Sequence, residues 1–358
     1  MIELDGSFGE GGGAILRQAL ALSMLTGKEF SINNIRAGRP SPGLAAQHVA
    51  CLDAAMDLCG AEIVGRYIGA TEVKFKPGEF KAGHHKIDIG TAGSITLLLQ
   101  SVLLPSIFCN KRISFQITGG TDVKWSAPFD YFKQVFLPQL NRYADIEASL
   151  FQRGYYPKGG GDVRIVINGK VTLFDPLPPI ILLEQKKLLL IKGISHASID
   201  LEEAKVAERQ SENARLYLEK LKSPFRVEHQ YSRCWSPGSG ITLWALFGED
   251  EIDFKSPVIL GADGLGERNK KAESVGKEAA DNLYQLITSG AAVDPFLADQ
   301  LIPFMAIAGG KIKTSKITDH VKSNIYVVEK FFDVKFEMNE NDNVIACEKK
   351  MSPAQSLQ

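Results

Sequence analysis

Ala298-Asp299-Gln300-Leu301-Ile302-Pro303-Phe304-Met305-Ala306-Ile307-Ala308-Gly309-Gly310-Lys311-Ile312-Lys313-Thr314-Ser315-Lys316-Ile317-Thr318-Asp319-His320-Val321-Lys322-Ser323-Asn324 is the stretch on which the reading of the fold turns. Leu297, Leu301, Phe304, Met305 and Ala308 recur at helical spacing, and Gly309-Gly310 stops that helix. Lys311 to Lys316 alternates as a short strand, and Val321, Ile325, Val328 and Phe332 then begin a second helix with His320 at its head. A histidine at such a junction lies where the first helical N–H groups are free to bind an anion. Its neutral imidazole can attack phosphorus, and it can equally do no more than cap the helix.

The same helix, strand, polar turn and helix recur twice upstream. Ile35, Ile117 and Ile317 each end a strand, before Arg36-Ala37-Gly38, Thr118-Gly119-Gly120 and Thr318-Asp319-His320. Gln18, Gln100 and Gln300 precede these isoleucines by the same 17 residues, which fixes the register. The first two isoleucines stand 82 residues apart and the last two 200, so about 118 residues are inserted between the second and third units. The expected fold class is α/β (α+β): three repeated βαβαββ-like units packed helix-inward, with a smaller inserted α/β domain. The Pro-rich link Pro176-Leu177-Pro178-Pro179 and the apolar run Ile180 to Ile194, read as one long strand, put the boundary near Leu183. Residues 1–183 and 287–358 then form the repeat-built domain and residues 184–286 the insert.

Bulk properties narrow the function. A chain of 358 residues, 44% apolar, has ample material for two cores. With 41 Lys and Arg against 42 Asp and Glu there is no global basic field for a long duplex, so any nucleic-acid contact is local, in a cleft or at an end. Five cysteines without CxxC or paired histidine spacing argue against a disulfide framework or a zinc site and for a reducing cytoplasm. The N-terminus has no signal-like pattern, and the apolar run Ile95 to Phe108 is too short to span a bilayer. A cytoplasmic protein without a membrane or an obligate protein partner is expected.

Several places carry chemistry. Gly9-Glu10-Gly11-Gly12-Gly13 opens an apolar helix from Ala14 to Leu25. Such glycines make a tight turn or a phosphate cradle; they match neither the P-loop nor the dinucleotide fingerprint. Glu10 and Arg17 form an ion pair on one reading, and on the other hold a divalent cation and a phosphate. Arg36 and Arg39, three apart in a glycine and proline turn, suit phosphate or simply face water. Gln100 in an otherwise apolar helix needs a partner, in a neighbouring loop or a ligand. His48 reads as packed and structural, and His84-His85 as surface. Tyr155 to Asp162 with its glycines closes a hairpin or approaches a ligand, the hairpin being favoured; Gly264-Leu265-Gly266 reads as a loop, Arg209, Arg215, Lys220 and Lys222 as the wet face of a helix that could touch RNA, and Met351 to Gln358 as a loose tail.

Taken together, Leu4-Asp5-Gly6-Ser7, Gly9 to Gly13, Ile15-Leu16-Arg17, Ile35-Arg36-Ala37-Gly38-Arg39, Pro42-Gly43-Leu44, Gln47-His48, Gly93-Ser94, Gln100, Gly119-Gly120-Thr121-Asp122, Ala298-Asp299-Gln300-Leu301 and His320 before Asn324 resemble the RNA 3′-terminal phosphate cyclase family. The match covers nearly all of the repeat domain and little of the insert. It departs at Ala14, Ser41, Ala45-Ala46 and Phe296. The resemblance implies a fold shared with enolpyruvyl transferases and an ATP-dependent enzyme acting on RNA 3′-phosphate ends. It makes His320 the catalytic nucleophile, adenylylated by ATP before the adenylate passes to the RNA 3′-phosphate and a 2′,3′-cyclic phosphate closes. By resemblance Glu10 is the metal-linked carboxylate for Mg²⁺ or Mn²⁺, and Arg17, Arg36, Arg39, Gln47, Gln100, Asp299 and Gln300 are nucleotide- and phosphate-binding, with Asp299 either on the nucleotide or orienting His320. A non-catalytic RNA-binding or ribosome-biogenesis relative is the alternative, and an enolpyruvyl transferase sharing the fold is a third; retention of His320 favours the enzyme.

Overall fold

A computed structural model describes residues 1–9 and 12–348, so Glu10 and the tail Met351 to Gln358 lie outside the described residues. The chain begins with β1 (Ile2–Asp5), α1 (Ala14–Thr26), β2 (Phe30–Asn33), α2 (Ala46–Cys59), β3 (Glu62–Val64) and β4 (Val73–Lys76), and these strands form a sheet in the order β1-β2-β4-β3. Next come β5 (Gly83–Asp88), α3 (Ile95–Phe108), β6 (Arg112–Gly119), α4 (Phe129–Tyr131), a π-helical turn Phe132–Phe136, α5 (Leu137–Leu140), β7 (Ala144–Gln152) and β8 (Gly161–Gly169), with the order β5-β6-β8-β7. β9 (Ile180–Leu182) belongs to a third sheet completed only after α7. Between lie β10 (Lys187–Ser198), α6 (Val206–Leu218), β11 (Phe225–Ser232), β12 (Ser239–Gly248), β13 (Val258–Leu265) and α7 (Ala272–Thr288), whose strands pair as β11-β10-β12-β13. α8 (Pro295–Ala308), β14 (Gly310–Lys313), α9 (Asp319–Phe331), β15 (Lys335–Asn339) and β16 (Val344–Glu348) then complete the third sheet, β15-β16-β14-β9. The mixed α/β class expected from the sequence is the one the chain adopts.

The first three sheets share one connectivity: a first strand parallel to the second, the second antiparallel to the fourth, and the fourth antiparallel to the third. α1 packs on α2, α3 and α9, and α8 packs on α3 and α9. α1 can be buried on all sides because its sequence is apolar on all sides: Ile15, Leu16, Ala19, Leu20 and Leu22 are each at most 1% exposed. Burying each such Leu or Ile contributes about 1.5–3 kcal/mol. Gly27, left-handed at φ 71, ends the helix with its N–H on the Ser23 carbonyl.

Three expectations are corrected. The run Ile180 to Ile194 is two strands in different sheets: β9 follows β14 and β10 lies between β11 and β12, so the chain must turn between them, and Lys186 does so at φ 60. Gly264 and Leu265 belong to β13, paired with Ile241 and Gly240, because the antiparallel register continues back to the start of β12. His85 is buried rather than at the surface. Strand alternation turns it inward with Ile87, where its Nδ1 lies 2.6 Å from Asp57 Oδ2, while His84 faces out. The helical segment after β6 starts at Phe129, with Pro128 as its cap.

Candidate active site

The N-terminus of α9 is built by Thr318, whose hydroxyl accepts from the Val321 N–H at 3.3 Å as a side-chain cap. His320, half-buried, occupies that first turn. The glycine-rich turn after β1 runs directly against it. A Cβ on Gly9 would stand 2.4 Å from Ser323 Oγ and 3.3 Å from the Asp319 carbonyl, and Gly9 adopts φ +61. Phe8 stacks on Tyr326 with ring centroids 4.3 Å apart, and the Tyr326 hydroxyl accepts from the Asp5 N–H at 3.0 Å. These three contacts join residues more than 300 apart in sequence and bring the first turn of the chain to the helix that carries His320.

α9 is tied to α8 by Asn324, one helical turn beyond His320 on the same face, whose amide donates to the Asp299 carbonyl at 2.9 Å. Asp299 and Gln300 line a small cleft of about 30 Å³ together with Gln100 from α3, Gln18 and Ala14 from α1, and Asn324. Phe136, Pro303 and Phe304 form its apolar wall. Gln300 donates to the Phe296 carbonyl one turn back at 3.2 Å, which leaves its oxygen as an acceptor. α8 is held at its start by the buried Asp294. That carboxylate accepts from the N–H groups of Phe296 at 3.0 Å and Leu297 at 2.9 Å, from the Tyr131 hydroxyl at 2.6 Å and from the Gly261 N–H at 3.1 Å.

The cation of the site is Arg17. It is only 6% exposed, and its Nε donates to Gln100 Oε1 at 2.9 Å, so the amide noticed in the apolar helix has found its partner on α1. Behind Arg17 lies His48, 3% exposed, with Nδ1 accepting from the Ala45 N–H at 3.0 Å at the start of α2. Gly13 makes room for this packing: a Cβ there would meet His48 Nε2 at 2.0 Å and Arg17 Nη1 at 2.9 Å. Burial first, and then the charges of Arg17 and Arg36, push the His48 imidazole down from 6.5 to about 3, so it is neutral at physiological pH. Arg36 has left-handed backbone at φ 54 and donates to the Gly43 carbonyl at 2.7 Å; burial, and then Arg39, lower its pKa. Gln47 is half-buried and accepts from the Ser94 N–H at 3.4 Å, while Arg39 is exposed.

Of the sequence-derived site residues, Gln100, Asp299 and Gln300 share the cleft, Arg17 bonds to one of its walls, His320 stands on the helix that closes it, and Arg36, Arg39 and Gln47 lie on the α2 side beyond His48. Glu10 lies outside the described residues. Sequence reasoning missed Gln18, Asn324 as a tie between two helices, and His48 as the wedge behind Arg17. The signal for Gln18 was present, since it heads the 17-residue register shared with Gln100 and Gln300.

One family model, described as RNA 3′-terminal phosphate cyclase, matches residues 8–338. The chain belongs to the RNA 3′-terminal phosphate cyclase family. Among its relatives, proteins named RNA 3′-terminal phosphate cyclase from Archaeoglobus fulgidus and Pyrococcus furiosus are each 45% identical to it, the first over 95% of this chain and 98% of its own length, the second over 94% and 95%. One from Thermococcus kodakarensis is 46% identical over 94% of both chains. The expectation of an enzyme therefore stands at the level of the RNA 3′-terminal phosphate cyclase family. Among the described residues the one grouping of possible metal ligands, Asp122, Asp130 and His196, lies apart from this cleft and is already paired with a buried cation: Arg153 stands 3.3 Å from Asp122 and 2.8 Å from Asp130.

Proposed function

We propose that this chain converts an RNA 3′-terminal phosphate to a 2′,3′-cyclic phosphate at the expense of ATP, with His320 as the nucleophile. A lone pair of the His320 imidazole forms the bond to the α-phosphorus of ATP, and the bond to pyrophosphate breaks, leaving a histidine–AMP phosphoramidate. An oxygen of the RNA 3′-phosphate then takes the adenylate and frees the imidazole. The neighbouring 2′-hydroxyl loses its proton and attacks the activated phosphorus, and AMP leaves with the electron pair of the broken phosphoanhydride. The need for a 2′-hydroxyl restricts the reaction to RNA-type ends.

The observation that carries this reading is the convergence, around one cleft, of α9 with its histidine, the Arg17–Gln100 pair and Asp299-Gln300. Arg17, desolvated and fixed by Gln100, is suited to hold a phosphate of ATP, and Arg36 and Arg39 to meet the phosphate of the RNA. Gln100, Gln300 and Asp299 offer donors and acceptors to the nucleoside, and Gln47 holds the Ser94 turn beside them. Mg²⁺ or Mn²⁺ would neutralise the triphosphate, with Glu10 as the residue to hold it. Glu10 follows Gly9, which packs on the first turn of α9, so its place in the chain fits that role. The reading also takes residues 184–286 as an inserted domain of a repeat-built enzyme working in the cytoplasm. No helix among the described residues is long and apolar enough to cross a membrane.

The test is incubation with ATP labelled at the α-phosphate and Mg²⁺ or Mn²⁺, followed by isolation of the protein. An acid-labile, base-stable adduct is expected in the wild type and is lost in His320→Ala. If the wild type forms none with either metal, nucleotidyl transfer is refuted and the non-catalytic relative takes its place.

A further inference from the structure

Two loops on the far side of Gln47 interlock through aromatic rings seated on glycines. Tyr155 to Gly160 links β7 to β8, and Arg233 to Gly238 links β11 to β12. Tyr155, 2% exposed, lies on Gly238, where a Cβ would meet its ring at 2.2 Å; reciprocally, Trp235 lies on Gly160, where a Cβ would meet the indole at 2.2 Å. The Tyr155 hydroxyl is 2.7 Å from His196 Nδ1, and the Lys158 N–H donates to Ser236 Oγ at 3.2 Å. Tyr155 is consumed by this packing. Trp235 is not: one part of its ring rests on Gly160 and the rest is open, the residue being 58% exposed. Tyr156, in the same pair of loops, is 77% exposed, and the exposed cations Lys158 and Arg233 flank the two rings in sequence. Burying a Trp on a glycine while leaving most of it in water is an expensive way to finish a surface unless something covers it.

This aromatic face is joined to the cleft by a short chain of contacts. A Cβ on Gly159 would stand 2.8 Å from the Thr91 carbonyl and 2.9 Å from the Ala92 Cα, and a Cβ on Gly93, the next residue but one, would stand 3.0 Å from Gln47 Cβ. Contacts thus link Gln47, through the Gly90 to Ser94 loop, to the Gly159-Gly160 turn on which Trp235 rests. Three of the basic residues on α6 and the turn after it are engaged elsewhere: Arg209 pairs with Glu273 at 2.8 Å, Arg215 with Glu212 at 2.7 Å, and the Lys220 ammonium sits 3.4 Å from the centre of the Tyr284 ring.

We propose that Trp235 and Tyr156 form a stacking platform for the single-stranded RNA just upstream of the 3′-phosphate, with Lys158 and Arg233 meeting its backbone. This rests on the reading of the cleft as the site of an RNA 3′-end. A strand whose last phosphate is held at the arginine turn must leave the cleft over a neighbouring surface. Of the surfaces described here, this one pairs open aromatic faces with cations, the combination that holds unpaired bases without reading their sequence. The platform predicts a substrate-length effect: nucleotides that reach Trp235 add affinity, and a dinucleotide ending in 3′-phosphate is too short to feel it.

The test is equilibrium binding, by fluorescence anisotropy, of 3′-phosphorylated oligoribonucleotides from two to about ten nucleotides, with wild type, Trp235→Ala, Trp235→Phe and Tyr156→Ala. Stacking worth about 1–3 kcal/mol per base converts to a loss of roughly five- to 150-fold. Trp235→Ala is expected to weaken binding of the longer oligonucleotides about tenfold and Trp235→Phe by much less, with the dinucleotide unchanged in both. Because the assay needs no turnover, its failure is separate from failure of the ATP-dependent adduct in the wild type. Equal affinity of wild type and both alanine variants for every length overturns the proposal and leaves the rings to a protein partner. Loss that is the same for the dinucleotide and the longest oligonucleotide also overturns it, since that is a collapsed cleft and not a platform.

Discussion

His48 offers a direct measure of how tightly the cation side of the cleft is packed. Its imidazole has Nδ1 committed to the Ala45 N–H, Arg17 and Arg36 as neighbouring charges and almost no contact with water. In the unfolded chain it titrates near 6.5, in the folded protein near 3. A depressed folded-state pKa means that between those values the unfolded chain binds the extra proton, so the stabilisation is complete above about pH 7 and is lost as the pH falls toward 3. From about pH 8 to about pH 5 the loss from this one residue is roughly 2 kcal/mol, and it approaches about 5 kcal/mol below pH 3. His48→Asn keeps an acceptor near the Ala45 N–H and removes the titration. Denaturant midpoints for both proteins at the two pH values give a double difference in which all other titrations cancel. A value near 2 kcal/mol is expected, with the wild type losing more; a value below about 0.5 kcal/mol refutes the packing of His48 between Gly13 and the arginines.

Two further outcomes follow from the same geometry. Gly13→Ala puts a methyl 2.0 Å from His48 Nε2 and is expected to cost about 2–4 kcal/mol through overpacking and loss of the Ala45 contact and to reduce ATP-dependent adduct formation, whereas Gly38→Ala, with nothing within 4 Å, is expected to change stability by less than about 0.5 kcal/mol; denaturation and the adduct assay read both. Arg153→Met leaves Asp122 and Asp130 buried without their cation and is expected to destabilise by about 3–5 kcal/mol, measured by denaturation, with the Asp122→Asn and Asp130→Asn pair restored in the same chain recovering part of the loss.

Much of the fold is legible in the chain because it is written in local pattern. α1 is buried on every side because no side of it is polar for long, and α9 starts at Asp319 because Thr318 can cap it. Gln100 is legible as a misfit, since an amide among Leu, Ile and Val must be bonded to something. Its partner is not legible, because Arg17 is 83 residues away and only the packing of α1 on α3 brings the two together. The same holds for Asn324 and Asp299, for His85 and Asp57, and for the reciprocal seating of Tyr155 and Trp235 on glycines. Those glycines look like turn formers in sequence, and two of them, Gly159 and Gly160, do have positive φ; what the sequence does not reveal is that a ring or a neighbouring backbone fills the place of the missing Cβ.

The buried ions explain why the aromatic face can serve a cleft built on other elements. Asp122, Asp130 and Arg153 belong to the segment between β6 and β8, whereas His196 and Gln230 belong to β10 and β11. Burial opposes ionisation of Asp122, yet His196 and Arg153 beside it hold its carboxylate well below the usual range. Arg153 reaches across to Gln230 at 2.8 Å, and His196 lies 3.2 Å from Asp122 and 2.7 Å from the Tyr155 hydroxyl. Apolar side chains would fill this junction at less cost in desolvation, so the ions are poor evidence of stability for its own sake. What they add is direction. Each bond is satisfied in one relative placement of the two sheets, and that placement sets Trp235 on Gly160 and Gly159 against the loop that leads to Gln47. On the proposed reading, a stack at Trp235 without that register would hold the strand at no fixed distance from the arginines, and a base bound there would contribute nothing to presenting a terminal phosphate to His320.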